Sequence, residues 1–330
     1  MEYPLADEIL RRLLQAGNAP VSGEKLARAL GVTRAAVWKG VRVLRGQGYP
    51  VESLPAQGYR LAGDRARLRP GELAARLGTR VLGHAYRYLE EVDSTSREAE
   101  RWALGGAPEG ALVVAERQQA GRGRLGRSWV GLPGKSLLFS LVLRPSIPTA
   151  DAPLLTYAAS VALVRALSRW IDRAHLEIKW PNDVLVGGRK AAGILLELRA
   201  EGQAVDHVVV GVGVNVEGGL EEFPAELRDR VATVAEFAAP APERLGVLCA
   251  FLEEFESGYE RFVREGFGPL REEWNAWFRM AGRPVRVQAV SGALEGIAQG
   301  LDPSGALLLR SAQGVFPVFA GDVELAAVRS

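Results

Sequence analysis

The sequence predicts an α+β protein in three parts, on three observations. Residues 1–64 set short amphipathic helices before a strand pair punctuated by Pro and Gly, the pattern of a winged helix-turn-helix. Residues 65–279 mix strongly apolar strands with long helices, the pattern of an α/β domain on a mixed sheet. Residues 280–330 change to short strands separated by turns, the texture of a small SH3-like β-barrel.

Composition narrows the possibilities. A chain of 330 residues that is 48% hydrophobic has material for more than one core. Its net charge of +2 excludes a global field for nucleic acid, so any DNA contact must come from a local patch. Only Lys25, Lys39, Lys135, Lys179 and Lys190 are lysines among 41 basic residues, which asks what an ammonium group does where one is kept. Cys249 stands alone, so no intrachain disulfide is expected. His84, His175 and His207 are too far apart in sequence for zinc-ligand spacing, and no protein metal site is expected. The N-terminus lacks a signal-peptide core, and no uninterrupted apolar run reaches spanning length. A cytoplasmic protein without a membrane partner is the expectation.

At the front, Leu5, Ile9, Leu10, Leu13 and Leu14 recur at helical spacing before Gly17 and Asn18. Ser22 is positioned to cap a short helix ended by Gly31, and Thr33 to cap the next. At 100° per residue, Ala36, Val37, Gly40, Val41 and Leu44 fall on one side of that second helix. Arg34, Trp38, Lys39, Arg42 and Arg45 fall on the other. Tyr49 to Leu61 then reads as a β-hairpin, the wing. The expected DNA-binding residues are Arg34, Ala35, Trp38, Lys39, Arg42 and Arg45, with Arg34 and Lys39 placed toward base edges and Arg42 and Arg45 toward phosphates. A packing module with a solvated basic face is the plainer alternative. Residues 64–71 read as a linker, with a small helix beginning near Leu73.

In the middle, Ala85 to Leu89 reads as a strand. Thr95 and Glu98 have capping-box spacing, so a helix is expected from there to Leu104. Its start offers hydroxyls and backbone N–H groups to a polar ligand, although capping alone accounts for the same residues. The apolar runs Ala111–Ala115 and Leu137–Leu143 read as strands flanking Gln118 to Trp129, a loop rich in Gly and Arg. Gly121-Arg-Gly-Arg-Leu-Gly126 satisfies the dinucleotide-binding expression, but Arg127 to Gly134 cannot form the helix that motif needs. Gly134-Lys-Ser136 resembles the end of a P-loop, but Trp129 stands where its first glycine belongs. Both nucleotide motifs are excluded. Leu154 to Ile171 reads as a helix apolar over most of its circumference, and His175 to Trp180 as a strand. Val184 to Leu198 reads as a hairpin turning on Gly187-Gly188 with Lys190 just past the turn, and Val208 to Val216 as a further strand. Gly211 and Gly213 leave room for something to approach that strand. A lone hairpin lysine is usually a solvated charge. Lys179 and Lys190, however, flank Asn182 and Asp183, and with Arg122 and Arg124 they could neutralise a polyanionic substrate.

Four motifs now occur in order: Gln118-x-x-Gly-Arg-Gly-Arg124, Lys179-Trp-Pro-Asn-Asp183, Arg189-Lys-x-x-Gly-Ile194 with Glu197, and Gly211-x-Gly-x-Asn215. Together they resemble the motif set of biotin protein ligases. With the front helix-turn-helix, the chain is similar to the bifunctional subfamily that joins biotin ligase and biotin operon repressor. The resemblance covers nearly the whole chain. It implies a class II synthetase-like catalytic domain that forms biotinyl-5′-AMP from biotin and ATP with Mg²⁺. A lysine of a biotin carboxyl carrier protein then takes the biotin.

By position, the resemblance implies that Ser94, Thr95, Ser96, Gln118, Gly121, Arg122, Gly123, Arg124, Trp129, Lys179, Asn182, Lys190, Gly193 and Asn215 line the biotin and adenylate site. Arg122, Arg124 and Lys190 suit a carboxylate and an α-phosphate. Asp183 is expected to orient or deprotonate the acceptor lysine. Operator DNA and a second copy of the chain, paired when adenylate is bound, are the other implied partners. The family often has Asn where this chain has Ser96. The acidic stretch 217–243 is expected to cover the adenylate, with Phe223 or Phe237 as its aromatic. A biotin-sensing factor without turnover and a lipoate-type ligase are the rival readings. In the tail, two helices over 243–279 precede strands at 284–290, 294–299, 306–310 and 315–319.

Overall fold

The structure, a computed structural model, describes residues 5–17, 19–46, 48–62, 68–202, 204–289 and 292–326. The chain divides into two compact units, Met1–Leu77 and Gly78–Ser330.

In the first unit, helices α1 (Leu5–Gln15), α2 (Gly23–Leu30) and α3 (Arg34–Gly46) precede strands β1 (Val51–Leu54) and β2 (Gly58–Leu61). Local chemistry sets the helix ends. The Ser22 hydroxyl accepts the Lys25 N–H at 3.1 Å, and Gly31 takes the left-handed conformation, φ +64°, that closes α2. Thr33 accepts the Ala36 N–H at 3.2 Å and starts α3. Ile9, Leu10 and Leu13 of α1 pack with Leu26 of α2 and with Val37, Val41 and Leu44 of α3, all almost wholly buried. Gly40 lets α1 and α3 come close, since a Cβ there would meet Ile9 Cδ1 at 2.5 Å. β1 and β2 form the antiparallel wing. The polar linker expected over 64–71 falls largely on residues 63–67, outside the described residues. Its end begins α4 (Pro70–Arg76), which joins this first unit rather than the second.

The second unit carries a seven-stranded mixed sheet among the described residues, in the order β3-β4-β5-β9-β8-β7-β6. The strands are β3 (Tyr86–Val92), β4 (Ala111–Gln118), β5 (Ser136–Leu143), β6 (Leu176–Lys179), β7 (Asp183–Val186), β8 (Arg189–Glu201) and β9 (Ala204–Asn215). Only the β3–β4 pairing is parallel. Every residue of β5 is buried, and its period of two divides the sheet into faces. Phe139 points to the face covered by α7 (Arg244–Glu265), meeting Phe251 edge-on at 5.1 Å. Ser140 points to the other face, where α5 (Thr95–Leu104) lies. On β9 the same alternation puts Val209, Gly211, Gly213 and Asn215 on the α5 side. Gly187 and Gly188, at φ +57° and +78°, make the tight turn that presents Lys190.

Three expectations change. Ser94, not Thr95, is the cap residue of α5, and its side chain makes no capping bond; the Thr95 hydroxyl instead turns to Gln118. Helix α6 spans Leu155–Leu167, after a 3₁₀ turn at Thr149–Leu154 that contains Pro153. The stretch Thr149–Leu167 also does have the length and hydropathy of a membrane-crossing segment, but 72% of it is buried inside the fold, which makes it a core helix.

After α8 (Phe267–Trp277), strands β10 (Pro284–Ala289), β11 (Gly292–Leu301), β12 (Leu307–Ser311), β13 (Gly314–Val318) and β14 (Asp322–Leu325) form an antiparallel sheet ordered β13-β12-β11-β10-β14. β14 has no counterpart among the expected strands, and it brings Asp322 to the functional site.

Candidate active site and DNA-reading face

An open cleft of about 730 Å³, counting its mouth, lies over the α5 side of the sheet. Of the expected site residues, it is lined by Ser94, Thr95, Ser96, Gln118, Arg122, Gly123, Arg124, Trp129, Asn182, Asp183, Lys190 and Gly193. Gly121, Lys179 and Asn215 are not on its wall. Gly121 acts on the loop: its carbonyl accepts the Trp129 N–H at 3.0 Å, and a Cβ there would meet the Trp129 carbonyl at 2.6 Å. Lys179 ends β6 in register with Asp183. Asn215 is buried, donating to the Ala232 carbonyl at 3.3 Å, while its Oδ1 has no partner.

The floor is glycine. A Cβ on Gly213 would lie 2.4 Å from Trp129 Cε2, one on Gly193 3.0 Å from Trp129 Cζ3, and one on Gly211 2.5 Å from Ser96 Oγ. Three strand glycines therefore let the Trp129 indole and the start of α5 reach the sheet, which is the close approach their spacing implied. The indole N–H of Trp129 is buried without an acceptor.

The polar end is a chain of hydroxyls. Ser96 and Ser140 are 3.1 Å apart, Ser140 donates to Thr95 at 2.9 Å, and Thr95 donates to Gln118 Oε1 at 3.0 Å. Gln118 Oε1 also accepts the Thr95 N–H at 2.7 Å, so this helix-start amide serves the loop and not a ligand. Ser140, all but inaccessible, escaped the sequence reading because nothing local distinguishes a serine in an apolar strand.

Each cation of the cleft has a carboxylate. Lys190 Nζ is 2.7 Å from Asp183 Oδ1 and 5.5 Å from the Trp129 ring centroid. Arg122 Nη1 is 2.6 Å from Glu197 Oε1. Arg124 donates to Asn182 Oδ1 at 3.3 Å and lies 4.0 Å from Asp322, which also pairs with Arg127. All four pairs are partly exposed, so each is held weakly, on the order of 0–1 kcal/mol. A phosphate or carboxylate can take up the same donors. Trp180 is structural: its Nε1–H donates to the Tyr157 hydroxyl at 3.1 Å, and that hydroxyl donates to the Gly305 carbonyl at 2.6 Å. Burial is the main cause that pushes the Tyr157 hydroxyl up to about 12.

Both aromatic candidates for a lid lie elsewhere. Phe223 is buried with Leu132 and Val231, and Phe237 packs on Gly187 and His175. The acidic stretch nevertheless reaches Lys190 through its backbone: Lys190 N–H donates to the Arg230 carbonyl at 2.8 Å, and Ala232 N–H to the Lys190 carbonyl at 2.9 Å.

In the first unit, Arg34, Ala35, Trp38, Lys39 and Arg42 are exposed on α3, facing away from the buried Val37, Gly40, Val41 and Leu44. Arg45 is exposed too and also braces the hairpin. Its guanidinium donates to the Val51 carbonyl at 2.7 Å and to Ser53 at 2.8 Å, tying α3 to the wing.

Comparison with known proteins agrees with this geometry. Residues 88–215 match the Biotin/lipoate A/B protein ligase family, residues 6–60 an HTH domain and residues 281–325 the biotin protein ligase C-terminal domain. The bifunctional ligase/repressor BirA of Bacillus subtilis (strain 168) is 38% identical over 98% of this chain and all of its own length. The chain belongs to the bifunctional biotin ligase/repressor family. The BirA protein of Escherichia coli (strain K12) is 30% identical over 92% of each chain. A biotin protein ligase from Aquifex aeolicus, solved with biotin and ATP, superposes with a TM-score of 0.62 at 28% identity over 74% of this chain and 99% of its own.

The cleft of this biotin ligase family member includes residues the motifs did not single out: Arg127, Ser128, Leu195, Val212 and Asp322. Arg127 and Ser128 had a signal, since they continue the Gly-Arg loop. Asp322 had none, being almost two hundred positions from Arg127.

Proposed function

We propose that this chain is a cytoplasmic, ATP-dependent biotin protein ligase that also represses biotin genes. The observation that carries it is the convergence of Lys190, Arg122 and Arg124 on one glycine-floored cleft. Residues 1–64 read DNA, residues 65–279 carry out catalysis, and residues 280–330 complete the cleft through Asp322.

In the first step a biotin carboxylate oxygen attacks the α-phosphorus of ATP. A mixed anhydride forms and pyrophosphate leaves. Arg122, Arg124 and Lys190 are the donors for the carboxylate and the α-phosphate, and their charge offsets that of the transition state. The Thr95–Ser140–Ser96 hydroxyls and Gln118 suit the polar ureido end of biotin, and Trp129 with the glycine floor suits its ring and chain. ATP enters as its Mg²⁺ complex. Among the described residues no three His, Cys, Asp or Glu side chains cluster as a metal site. The ion is then held mainly by phosphate oxygens and water, as Mg²⁺ commonly is. Asn215, at the end of β9, stands near this site with its Oδ1 unpaired.

In the second step the amine of a carrier-domain lysine attacks the acyl carbon. The amide forms and AMP leaves. Asp183 spends Oδ1 on Lys190, and its Oδ2 meets the incoming lysine and takes its proton. The adenylate-bound chain forms a homodimer on its operator.

The test is incubation with biotin, ATP and Mg²⁺, with the mass of the bound ligand measured before and after a carrier domain is added. Biotinyl-5′-AMP followed by a biotinylated carrier is expected. Bound biotin without turnover would establish a sensor, and preference for lipoate over biotin in competition would establish the other ligase chemistry.

A further inference from the structure

The recognition helix exposes two large apolar side chains, Trp38 and Val43, and the aromatic one lies in its N-terminal half. Trp38 is 49% exposed on the outer face of α3. A single exposed apolar side chain is ordinary on a protein surface, so its meaning rests on what surrounds it. Arg42, one turn on, stacks its guanidinium 4.9 Å from the ring centroid and so holds the indole against the helix surface. Ala35, one turn back, extends the apolar surface, and Arg34 flanks it. The groove between this stripe and the wing is lined by Arg34, Ala35, Trp38, Leu54, Ala56 and Tyr59. The stripe lies in the N-terminal half of α3, the part that meets base edges in a helix-turn-helix.

In the major groove the apolar group on a base edge is the C5-methyl of thymine. Arg42 supplies charge for a phosphate beside it, whereas Arg45 is tied to the wing. We propose that the Ala35–Trp38 stripe is a thymine-methyl reader, which makes this protein's operator half-site carry thymine at the positions under α3. The assignment rests on the repressor reading above, and its test separates the two.

Duplexes are selected from a random library by the full chain loaded with biotinyl-5′-AMP. The best is then remade with deoxyuridine for thymine at single positions, which deletes only the methyl. Wild type is expected to lose about fourfold in affinity for each contacted methyl, the equivalent of ~0.8 kcal/mol per buried carbon. Trp38→Ala is expected to bind the thymine duplex at least tenfold more weakly and to be indifferent to the uracil replacement. Its slope of affinity against salt should be unchanged, because no phosphate contact is lost. Thermal unfolding checks that the variant remains folded. Equal sensitivity of wild type and Trp38→Ala to uracil, or a reduced salt slope in the variant, overturns the methyl-reading role while leaving repression intact. A wild type that selects no sequence at all overturns both.

Discussion

Gly213→Ala tests the architecture of the cleft with one methyl group. Gly213 does not adopt positive φ, so alanine suits the strand, and the effect must come from what the methyl meets. That is the Trp129 indole, with Cε2, Nε1 and Cζ2 at 2.4, 2.6 and 2.8 Å. Ordinary contact begins near 3.4 Å, so the indole has to retreat by about 1 Å. Trp129 is bonded to the Gly121 carbonyl and cannot retreat alone; the loop bearing Arg122 and Arg124 moves with it. Overpacking of this kind costs roughly 1–3 kcal/mol. Because the loop is a surface element built for ligand, most of that cost is expected in binding, as biotin affinity weakened about 5- to 150-fold. Titration calorimetry with biotin gives the number, and a melting curve gives the share lost in folding. Biotin affinity within twofold of wild type would show that the indole does not depend on the glycine floor, and the account of the cleft would be wrong.

Other substitutions probe separate parts. Lys190→Ala removes a cation aimed at developing charge, and adenylate formation, followed by pyrophosphate release, should slow by about 10²–10³; a wild-type rate would remove Lys190 from catalysis. Arg122→Ala should leave the melting temperature within a degree or two, since its pair with Glu197 is half-exposed. In a chase experiment it should release the adenylate some ten- to a hundredfold faster, as expected for loss of a charge-assisted bond of ~1.5–3 kcal/mol; an unchanged release rate refutes its place in the clamp.

Glu256 gives a pH-dependent stability. Its carboxylate accepts the N–H groups of Leu82, Arg80 and Val81 at 3.0, 2.8 and 2.8 Å. Burial raises its affinity for a proton, but those three bonds and the Arg80 charge together outweigh burial and hold it below its ordinary 4.5. A depressed acid stabilises the fold above its unfolded value and loses that contribution as pH falls through the folded one. Glu256→Gln should therefore cost roughly 1–3 kcal/mol at neutral pH, with the gap in melting temperature closing as pH drops below 4.5. A gap that is the same at all pH values would refute the charge-based account.

Local features were legible in the sequence because their causes are local. The caps Ser22 and Thr33, the closing Gly31 and the Gly187-Gly188 turn act through their own backbone, and apolar period marked the helices and strands around them. The Gly-Arg loop and the Lys-Trp-Pro-Asn-Asp segment were legible as a pair. What the pair does spatially was not. Only the tertiary structure decided that Trp129 lies on Gly193 and Gly213, that Ser140 bridges Thr95 and Ser96, and that Asp322 answers Arg124 and Arg127. It also tied Arg45 to the wing, turned Thr95 from cap to Gln118, and packed Phe223 and Phe237 away from the cleft. The physical reason is the same throughout. A hydrogen bond or a ring contact depends on which side chains the sheet order brings together, and pairings such as β10 with β14 leave no periodic trace in the chain.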